Sequence, residues 1–142
     1  CDLTIAARSA KFGQVGPKVG SVDPGFGTAL LARCVGEKKA REIWYLCQRY
    51  TADVAMAMGL VNKVVDDNLL DEEVAKWCAS ILEKSPTALA LAKRSFNADT
   101  ESIRGISMLG IQALALYYES DESREGVKAF MEKRKPNFRA RS

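Results

Sequence analysis

Apolar residues recur at intervals of three to four positions along most of the chain after residue 28, a spacing typical of amphipathic helices. In the first such segment Leu30, Leu31, Cys34 and Val35 fall on one face, and Gly36 is a natural residue to end it. Together with the helix-start residues Thr51 and Pro86 and the helix-ending Gly59, this spacing predicts seven helices. They cover residues 28–35, 37–49, 51–59, 69–85, 86–99, 102–120 and 121–134. The second half of the chain is thus predicted to be almost entirely helical.

Short apolar runs without helical spacing predict three strands, over residues 3–7, 11–12 and 60–65. Strands that come early and helices that come late favour a mixed α/β fold with a helical C-terminal part. The first strand begins at once, without a cap or a polar lead-in, whereas natural chain ends are usually polar and frayed. We therefore expect residue 1 to lie inside a longer protein.

Composition narrows the class of protein. The 142 residues are 47% hydrophobic and 27% charged, with a net charge of +3, which fits a packed globular protein and gives no indication of nucleic-acid binding. No apolar run approaches the ~20 residues of a membrane span. The four cysteines lack CxxC spacing and the chain has no histidine, which argues against a metal site and against imidazole catalysis. We expect the cysteines to be reduced core residues of a cytoplasmic protein.

The segment over residues 12–28 holds five glycines, two prolines and a single carboxylate, that of Asp23. A glycine-rich turn that enters a helix can bring backbone amides close to an anion. The segment matches neither the P-loop nor the dinucleotide fingerprint. On the residues alone, a tight structural turn is an equally good interpretation, and Asp23 could simply cap the helix that follows it.

The motifs then indicate a family. The stretches "CDLTIAA", "PKVGSVDPGFGTALLARCVGEKKAREI", "YTADVAMAMGLVNKVV", "SPTALALAKRSF" and "ESREGVKAFMEKRKP" resemble the crotonase (enoyl-CoA hydratase/isomerase) superfamily over nearly the whole chain. The pairing of "GQVGPKVGSxD" with "KKAREIW" resembles one branch, that of 1,4-dihydroxy-2-naphthoyl-CoA synthase and 2-ketocyclohexanecarboxyl-CoA hydrolase. The resemblance implies an α/β crotonase-like fold. Residues 1–66 would end its ββα spiral and carry the active-site loop, and residues 67–142 would form the helical trimerisation region.

The resemblance also implies roles for three residues. Asp23 would transfer a proton at the second carbonyl of the substrate, and Ser21 would donate a hydrogen bond beside it. Tyr118 matches the family tyrosine that donates to a reacting oxygen, although a rim or core tyrosine is the plainer alternative. The two oxyanion-hole amides of the family lie upstream of "CDLTIAA", so we expect them to be absent from these 142 residues.

One position departs from the hydratases. Gly16 stands where they carry a glutamate general acid/base, and glycine has no proton to exchange. Naphthoyl-CoA synthases with glycine there bind bicarbonate in its place, and Gln14 and Trp44 match the residues around that anion. The resemblance therefore implies no tightly bound cofactor, a bicarbonate ion at most, and CoA as part of the substrate.

The C-terminal "AFMEKRKP" has two interpretations. Its basic residues could be a solvated helix end favoured by the helix dipole. By resemblance, Phe130 and Lys133 would instead reach the adenine and phosphates of CoA bound to a neighbouring subunit. The family forms trimers or dimers of trimers, so we expect a homo-oligomer, with an acyl-CoA as substrate and with neither nucleic acid nor membrane as partner.

Three functions stay open at this point. The motifs "SVDPG" and "LAKRSFNADT" resemble the ring-opening hydrolase more than the ring-closing synthase of menaquinone biosynthesis, and they favour the hydrolase. Both reactions pass through the enolate of a CoA thioester, which needs a base and fixed donors for its oxyanion. The third possibility, from another class, is a catalytically silent fragment that serves as an oligomerisation and CoA-clamping module.

Overall fold

The computed structural model describes residues 1–23, 25, 27–100, 103 and 106–139, and for residues 106 and 107 it describes the backbone alone. Its strands are β1 (Ile5–Ala7), β2 (Lys11–Phe12), β3 (Tyr50–Thr51) and β4 (Lys63–Val65). Its helices are α1 (Gly16–Val19), α2 (Gly27–Val35), α3 (Glu37–Leu46), α4 (Ala52–Ala57), α5 (Leu70–Leu82), α6 (Pro86–Ala98), α7 (Ile106–Tyr118) and α8 (Asp121–Met131), with a 3₁₀ turn at Asp67–Leu69.

One compact unit contains the described residues of 1–12 and 50–104. Within it β1 pairs in parallel with β4, and β2 pairs antiparallel with β3. Helix α4 packs against these strands, and its buried Ala52 and Ala55 form a small core with Ala6 and Val61. The hydroxyl of Thr51 accepts a hydrogen bond from the N–H of Val54 and caps α4.

The second compact unit contains the described residues of 13–49 and 105–139. Helices α2 and α3 pack against each other across Gly36, whose φ of +81° lets the chain reverse between them. Leu31, Ala40 and Ile43 are buried in their contact. Helix α8 packs against α1 and α7. All the residues discussed below as a site belong to this unit.

Two glycines set the contact between α1 and α8. Gly20 ends α1 in the left-handed conformation, at φ +73°. A Cβ added to Gly126 of α8 would lie 2.5 Å from the carbonyl oxygen of Val19 and 2.6 Å from the Cα of Gly20. Because those atoms are backbone, no side chain could move aside, so only glycine permits this approach.

The structure confirms the helix-rich α/β fold, and it corrects the details. The helices begin and end within a few residues of the predicted positions, but the glycine-rich segment contains the short helix α1, and β3 was not predicted. Part of the predicted helix over 102–120 lies outside the described residues. The predicted boundary at residue 66 divides the chain by sequence, and it stays a prediction because each compact unit is built from two separate segments.

The cysteine prediction was half wrong. None of the four, all within the described residues, forms a disulfide, but Cys1, Cys34 and Cys78 are exposed and Cys47 is only half-buried. They are therefore not core residues of this chain. None of the described helices combines the length and apolar character needed to cross a bilayer.

Replacement of Gly126 by alanine tests the contact between α1 and α8. Helix propensity alone predicts that alanine stabilises α8 by about 1 kcal/mol. The clash with backbone atoms predicts the opposite sign, a loss of about 1–3 kcal/mol in the free energy of unfolding, which urea denaturation measures. The exposed neighbouring position provides the control, since Val127→Ala should change stability little. A Gly126→Ala protein more stable than wild type would show that the close approach does not exist.

Candidate active site

The glycine-rich segment is ordered by its own backbone hydrogen bonds. Pro17 lies in the first turn of α1, where its missing N–H leaves no bond unmade. The N–H groups of Gly20 and Ser21 both donate to the carbonyl of Gly16, the latter at 2.9 Å. The chain thus leaves α1 through a left-handed glycine, and Ser21 is the first residue after it.

The structure brings Ser21 and Tyr118 together although 97 residues separate them in sequence. The Ser21 Oγ lies 3.2 Å from the Tyr118 hydroxyl, and either oxygen can donate the proton. Tyr118 is the last residue of α7, and half of its surface is exposed. A hydroxyl pair of this kind can donate one hydrogen bond outward to a bound oxygen while keeping the bond within the pair.

Asp23 caps helix α2. Its Oδ1 accepts a hydrogen bond from the N–H of Gly25 at 3.2 Å, and its Oδ2 accepts one from the N–H of Thr28 at 2.8 Å. A Cβ on Gly27 would lie only 2.9 Å from Oδ1, so glycine there permits the close approach of the carboxylate. The capping interpretation thus describes the observed geometry. It does not exclude proton transfer, because each carboxylate oxygen keeps a second lone pair.

Asp23 also lines a cavity of about 810 Å³. Ser21 and Val22 line it beside Asp23, and Trp44 of α3 contributes an apolar face. The remaining lining residues are Pro17, Thr28, Tyr117, Glu122, Pro136, Asn137, Phe138 and Arg139. The cavity therefore combines one predicted acid–base residue with apolar surface, which is the usual character of a small-molecule site.

The predicted anion position is less open than expected. A Cβ on Gly16 would lie 3.3 Å from Cζ3 of Trp44 and 3.1 Å from the carbonyl oxygen of Ser21, so the tryptophan ring occupies the space in that direction. The described lining of the cavity includes neither Gly16 nor Gln14. However, the buried Nε1 of Trp44 has no hydrogen-bond partner among the residues that the structure describes. A buried N–H of this kind is a fitting donor to a small anion.

Two residues of the cavity were missed by the sequence analysis. Tyr117 precedes the predicted tyrosine, and its burial together with the charge of Glu122 raises its pKa. Glu122 lies in the first turn of α8 and brings a second carboxylate to the cavity. The described lining includes Tyr117 and not the predicted Tyr118, which reaches Ser21 instead. The sequence "YYES" contains both tyrosines, and spacing alone did not indicate which of them lines the cavity.

The C-terminal tail was also missed. Pro136 to Arg139 line the cavity, whereas the sequence predicted only a basic, solvated end. Phe130 is 70% exposed, and neither it nor Lys133 is part of the described cavity lining. Their predicted contact with CoA of a neighbouring subunit stays a prediction.

Metal-binding side chains are not grouped in this site. Within the described residues, no three histidine, cysteine, aspartate or glutamate side chains lie close enough together to hold a metal ion. The titratable groups that line the cavity are Asp23, Glu122, Tyr117 and Arg139.

Comparison with known proteins gives the family. The profile described as enoyl-CoA hydratase/isomerase matches residues 1–141. Similar solved structures include an enoyl-CoA hydratase/isomerase from Pseudoalteromonas atlantica T6c, with 28% identity, a TM-score of 0.90, and 96% of this chain and 56% of that chain covered. A carnitinyl-CoA hydratase from Mycobacterium avium has 28% identity and a TM-score of 0.89, with 99% and 55% covered.

A third similar structure is a methylmalonyl-CoA decarboxylase in complex with 2-nitronate-propionyl-CoA, with 30% identity, a TM-score of 0.81, and 98% and 55% covered. The chain spans 55–56% of the length of these three proteins. The match of the family profile to almost every residue, together with the shared fold, leads to one conclusion. This chain belongs to the enoyl-CoA hydratase/isomerase family.

Proposed function

We propose that this chain carries the acid–base residues of an acyl-CoA enzyme that breaks or makes a ring C–C bond through a thioester enolate. The favoured reaction is the ring-opening hydrolysis of 2-ketocyclohexanecarboxyl-CoA. The observation that carries the proposal is that Asp23 lines one cavity with Ser21, whose hydroxyl is hydrogen-bonded to that of Tyr118, combined with glycine at position 16. The branch-like motifs "GQVGPKVGSxD" and "KKAREIW" support the same assignment.

In the proposed hydrolysis Asp23 accepts a proton from water as the water oxygen attacks the ring ketone. The Ser21–Tyr118 pair donates a hydrogen bond to the ketone oxygen, which becomes an oxyanion. Collapse of that oxyanion breaks the bond between the carbonyl carbon and the α-carbon, and the electron pair forms the thioester enolate. Asp23 then returns its proton to the α-carbon, which leaves an open-chain carboxylic acid. In the reverse sense, the same residues would serve ring closure by the synthase.

Hydration of a simple enoyl-CoA is the second candidate. The two relatives named as hydratases favour it by analogy, and Glu122 supplies a second carboxylate to the cavity. Against it, the position that matches the hydratase glutamate is Gly16. The Trp44 ring lies 3.3 Å from the point where a Cβ would stand. We therefore favour enolate chemistry that needs a single carboxylate.

Bicarbonate remains part of the proposal as a bound anion. Trp44 would hold it through its unpartnered indole N–H, with the half-buried Gln14 as a further donor. When bound, it would supply carboxylate-like oxygens near the loop. The close approach of the Trp44 ring to Gly16 means that such an anion would bind at the indole edge.

Assembly into a homo-oligomer, a trimer or a dimer of trimers, is supported by exposed apolar side chains. Leu116 of α7 is 77% exposed, and Phe130 and Met131 of α8 are 70% and 75% exposed. Apolar surface of this extent commonly marks an interface between proteins. Phe130 and Lys133 would then be available to CoA bound by a neighbouring subunit. If the chain has no activity, the alternative is a module for oligomerisation and CoA clamping.

We also propose that the protein acts in the cytoplasm. All four cysteines lie within the described residues, and none is paired in a disulfide. Unpaired thiols are typical of a reducing compartment.

Supplying each substrate to the full-length protein distinguishes the two ring reactions. The expected result is conversion of 2-ketocyclohexanecarboxyl-CoA to pimeloyl-CoA, detected by mass spectrometry, with no naphthoyl product from o-succinylbenzoyl-CoA. Val22 lines the cavity and differs from the usual synthase residue, which motivates the preference; Pro24, the other difference, lies outside the described residues. Naphthoyl product without pimeloyl-CoA would reverse the assignment. Crotonyl-CoA serves as the control, and rapid hydration of it would favour Glu122 as a working acid.

Asp23→Asn separates capping from catalysis. Asparagine caps helices about as well as aspartate, but it keeps only one acceptor oxygen for the two backbone N–H groups. The free energy of unfolding should therefore fall by about 1–2 kcal/mol, with the fold retained. Because the amide cannot exchange a proton near neutral pH, kcat should fall by about 10²-fold or more. The matched control is Ser85→Ala, which removes a comparable cap from α6 and should leave kcat unchanged. Near-normal turnover by Asp23→Asn would show that Asp23 only caps the helix and takes no part in catalysis.

Trp44→Phe tests the anion proposal because it removes the indole N–H and keeps an aromatic ring. A hydrogen bond to a charged group contributes about 1.5–3 kcal/mol, so the rate gained on adding bicarbonate to degassed buffer should fall by about 10-fold or more. Trp77→Phe is the control, since the Trp77 Nε1 donates to Glu73 in the other compact unit. If bicarbonate does not change the wild-type rate, the anion has no part in the mechanism. That result would not contradict the proposed ring chemistry.

A further inference from the structure

The chain reverses direction directly after α8. Lys133 adopts the left-handed conformation at φ +54°, and the N–H of Arg134 donates to the carbonyl of Ala129 at 3.0 Å. This pattern is the helix-ending turn in which glycine usually takes the left-handed position. The turn directs residues 132–139, which we call the strap, back along α8.

A charged clamp fixes the strap. The guanidinium of Arg134 donates to both carboxylate oxygens of Glu125, at 2.6 and 2.8 Å, and its Nε donates to Glu132 at 2.7 Å. The backbone N–H of Asn137 donates to the same Glu125 at 2.8 Å. Bidentate pairing of this kind restricts the relative orientation of the two side chains and also contributes stabilising energy. These donors lower the pKa of Glu125 to about 2, so the clamp is ionised at neutral pH.

The clamp determines where the end of the strap lies. Pro136, Asn137, Phe138 and Arg139 follow directly and line the cavity that holds Ser21 and Asp23. Phe138 is half-buried. An aromatic side chain held in place beside the acid–base residue has the position of a wall against the acyl group.

We propose that Phe138 sets the selectivity of this cavity for bulky apolar acyl groups, and that the clamp of Glu125 and Arg134 positions it. The inference rests on the proposed acyl-CoA function of the cavity. Pro17, Val22 and Trp44 supply the rest of the apolar lining, so a ring-shaped acyl group would contact Phe138 on one side and these residues on the other. Arg134 is a positioning residue in this account, because its role is exerted through the strap.

Binding of two unreactive thioesters tests the proposal without turnover. Dissociation constants for cyclohexanecarbonyl-CoA and acetyl-CoA are measured by calorimetry on the full-length protein, and their ratio reports acyl selectivity. The wild type should prefer the ring thioester, and Phe138→Ala should reduce that preference by about 10-fold, the usual worth of a pocket contact. Arg134→Met should reduce it comparably and should accelerate backbone amide hydrogen exchange in residues 137–139. Glu125→Gln should act in the same direction.

Arg124→Met is the matched control. Arg124 lies on α8, whereas Arg134 lies in the strap. The ion pairs of Arg124, to Glu119 and Asp121, are longer at 3.6 and 3.7 Å, and Arg124 does not line the described cavity. An unchanged ratio in Phe138→Ala, or a wild type without preference for the ring thioester, would overturn the selectivity role. Loss of selectivity in Phe138→Ala but not in Arg134→Met would overturn the clamp. These experiments measure binding and not turnover. They therefore test the role of Phe138 even if the protein does not catalyse the proposed ring reaction.

Discussion

The close approach of Gly20 and Gly126 is the contact on which the site depends. It brings the end of α1 against α8 with no side chain between the two backbones. Ser21 directly follows one of these glycines, and Glu125 directly precedes the other. A single packing contact therefore positions both the hydroxyl beside the acid–base loop and the carboxylate that holds the strap. A displacement at this point would move two sides of the cavity at once, which is why we regard it as the main constraint of the unit.

Asp23 has a structural and a proposed chemical role, and the two need not conflict. Its carboxylate accepts two backbone N–H bonds at the start of α2, where the helix dipole favours negative charge. Those bonds hold both oxygens in a fixed orientation at the edge of the cavity. Orientation of a reacting group before the substrate arrives is itself a large contribution to catalysis. The glycine at position 27 allows this arrangement by leaving room for Oδ1.

The sequence predicted the regular parts of the fold well and the irregular parts poorly, for physical reasons. Most of the helices from α2 to α8 carry apolar residues at helical spacing, and α4 and α6 have recognisable start residues, Thr51 and Pro86, so these signals were sufficient to find them. Helix α1 has only four residues and is formed around a proline and glycines. It is therefore too short to show a helical spacing of apolar residues. Burial of the cysteines was predicted wrongly because apolar spacing identifies a helix face but not what covers it.

The site divides in the same way. The contact of Ser21 with Tyr118 is invisible to any local pattern, and only the family resemblance placed those residues together in function. The strap could not have been predicted, because its turn depends on Lys133 adopting a conformation that sequence rules assign to glycine. Tyr117 and Glu122 were missed because neighbouring letters on a helix face different directions.

The fold alone does not choose among reactions. The three relatives described above share it at TM-scores of 0.81–0.90, yet one is named a hydratase/isomerase, one a hydratase and one a decarboxylase. What differs between such enzymes is which cavity positions carry a group that can exchange a proton. In this chain the glycine-rich loop offers one carboxylate, and the tryptophan ring occupies the space beside Gly16. In the proposed hydrolysis Asp23 takes a proton from water and delivers it to the α-carbon, so that reaction requires one carboxylate on this loop and leaves Glu122, the second carboxylate of the cavity, without a role.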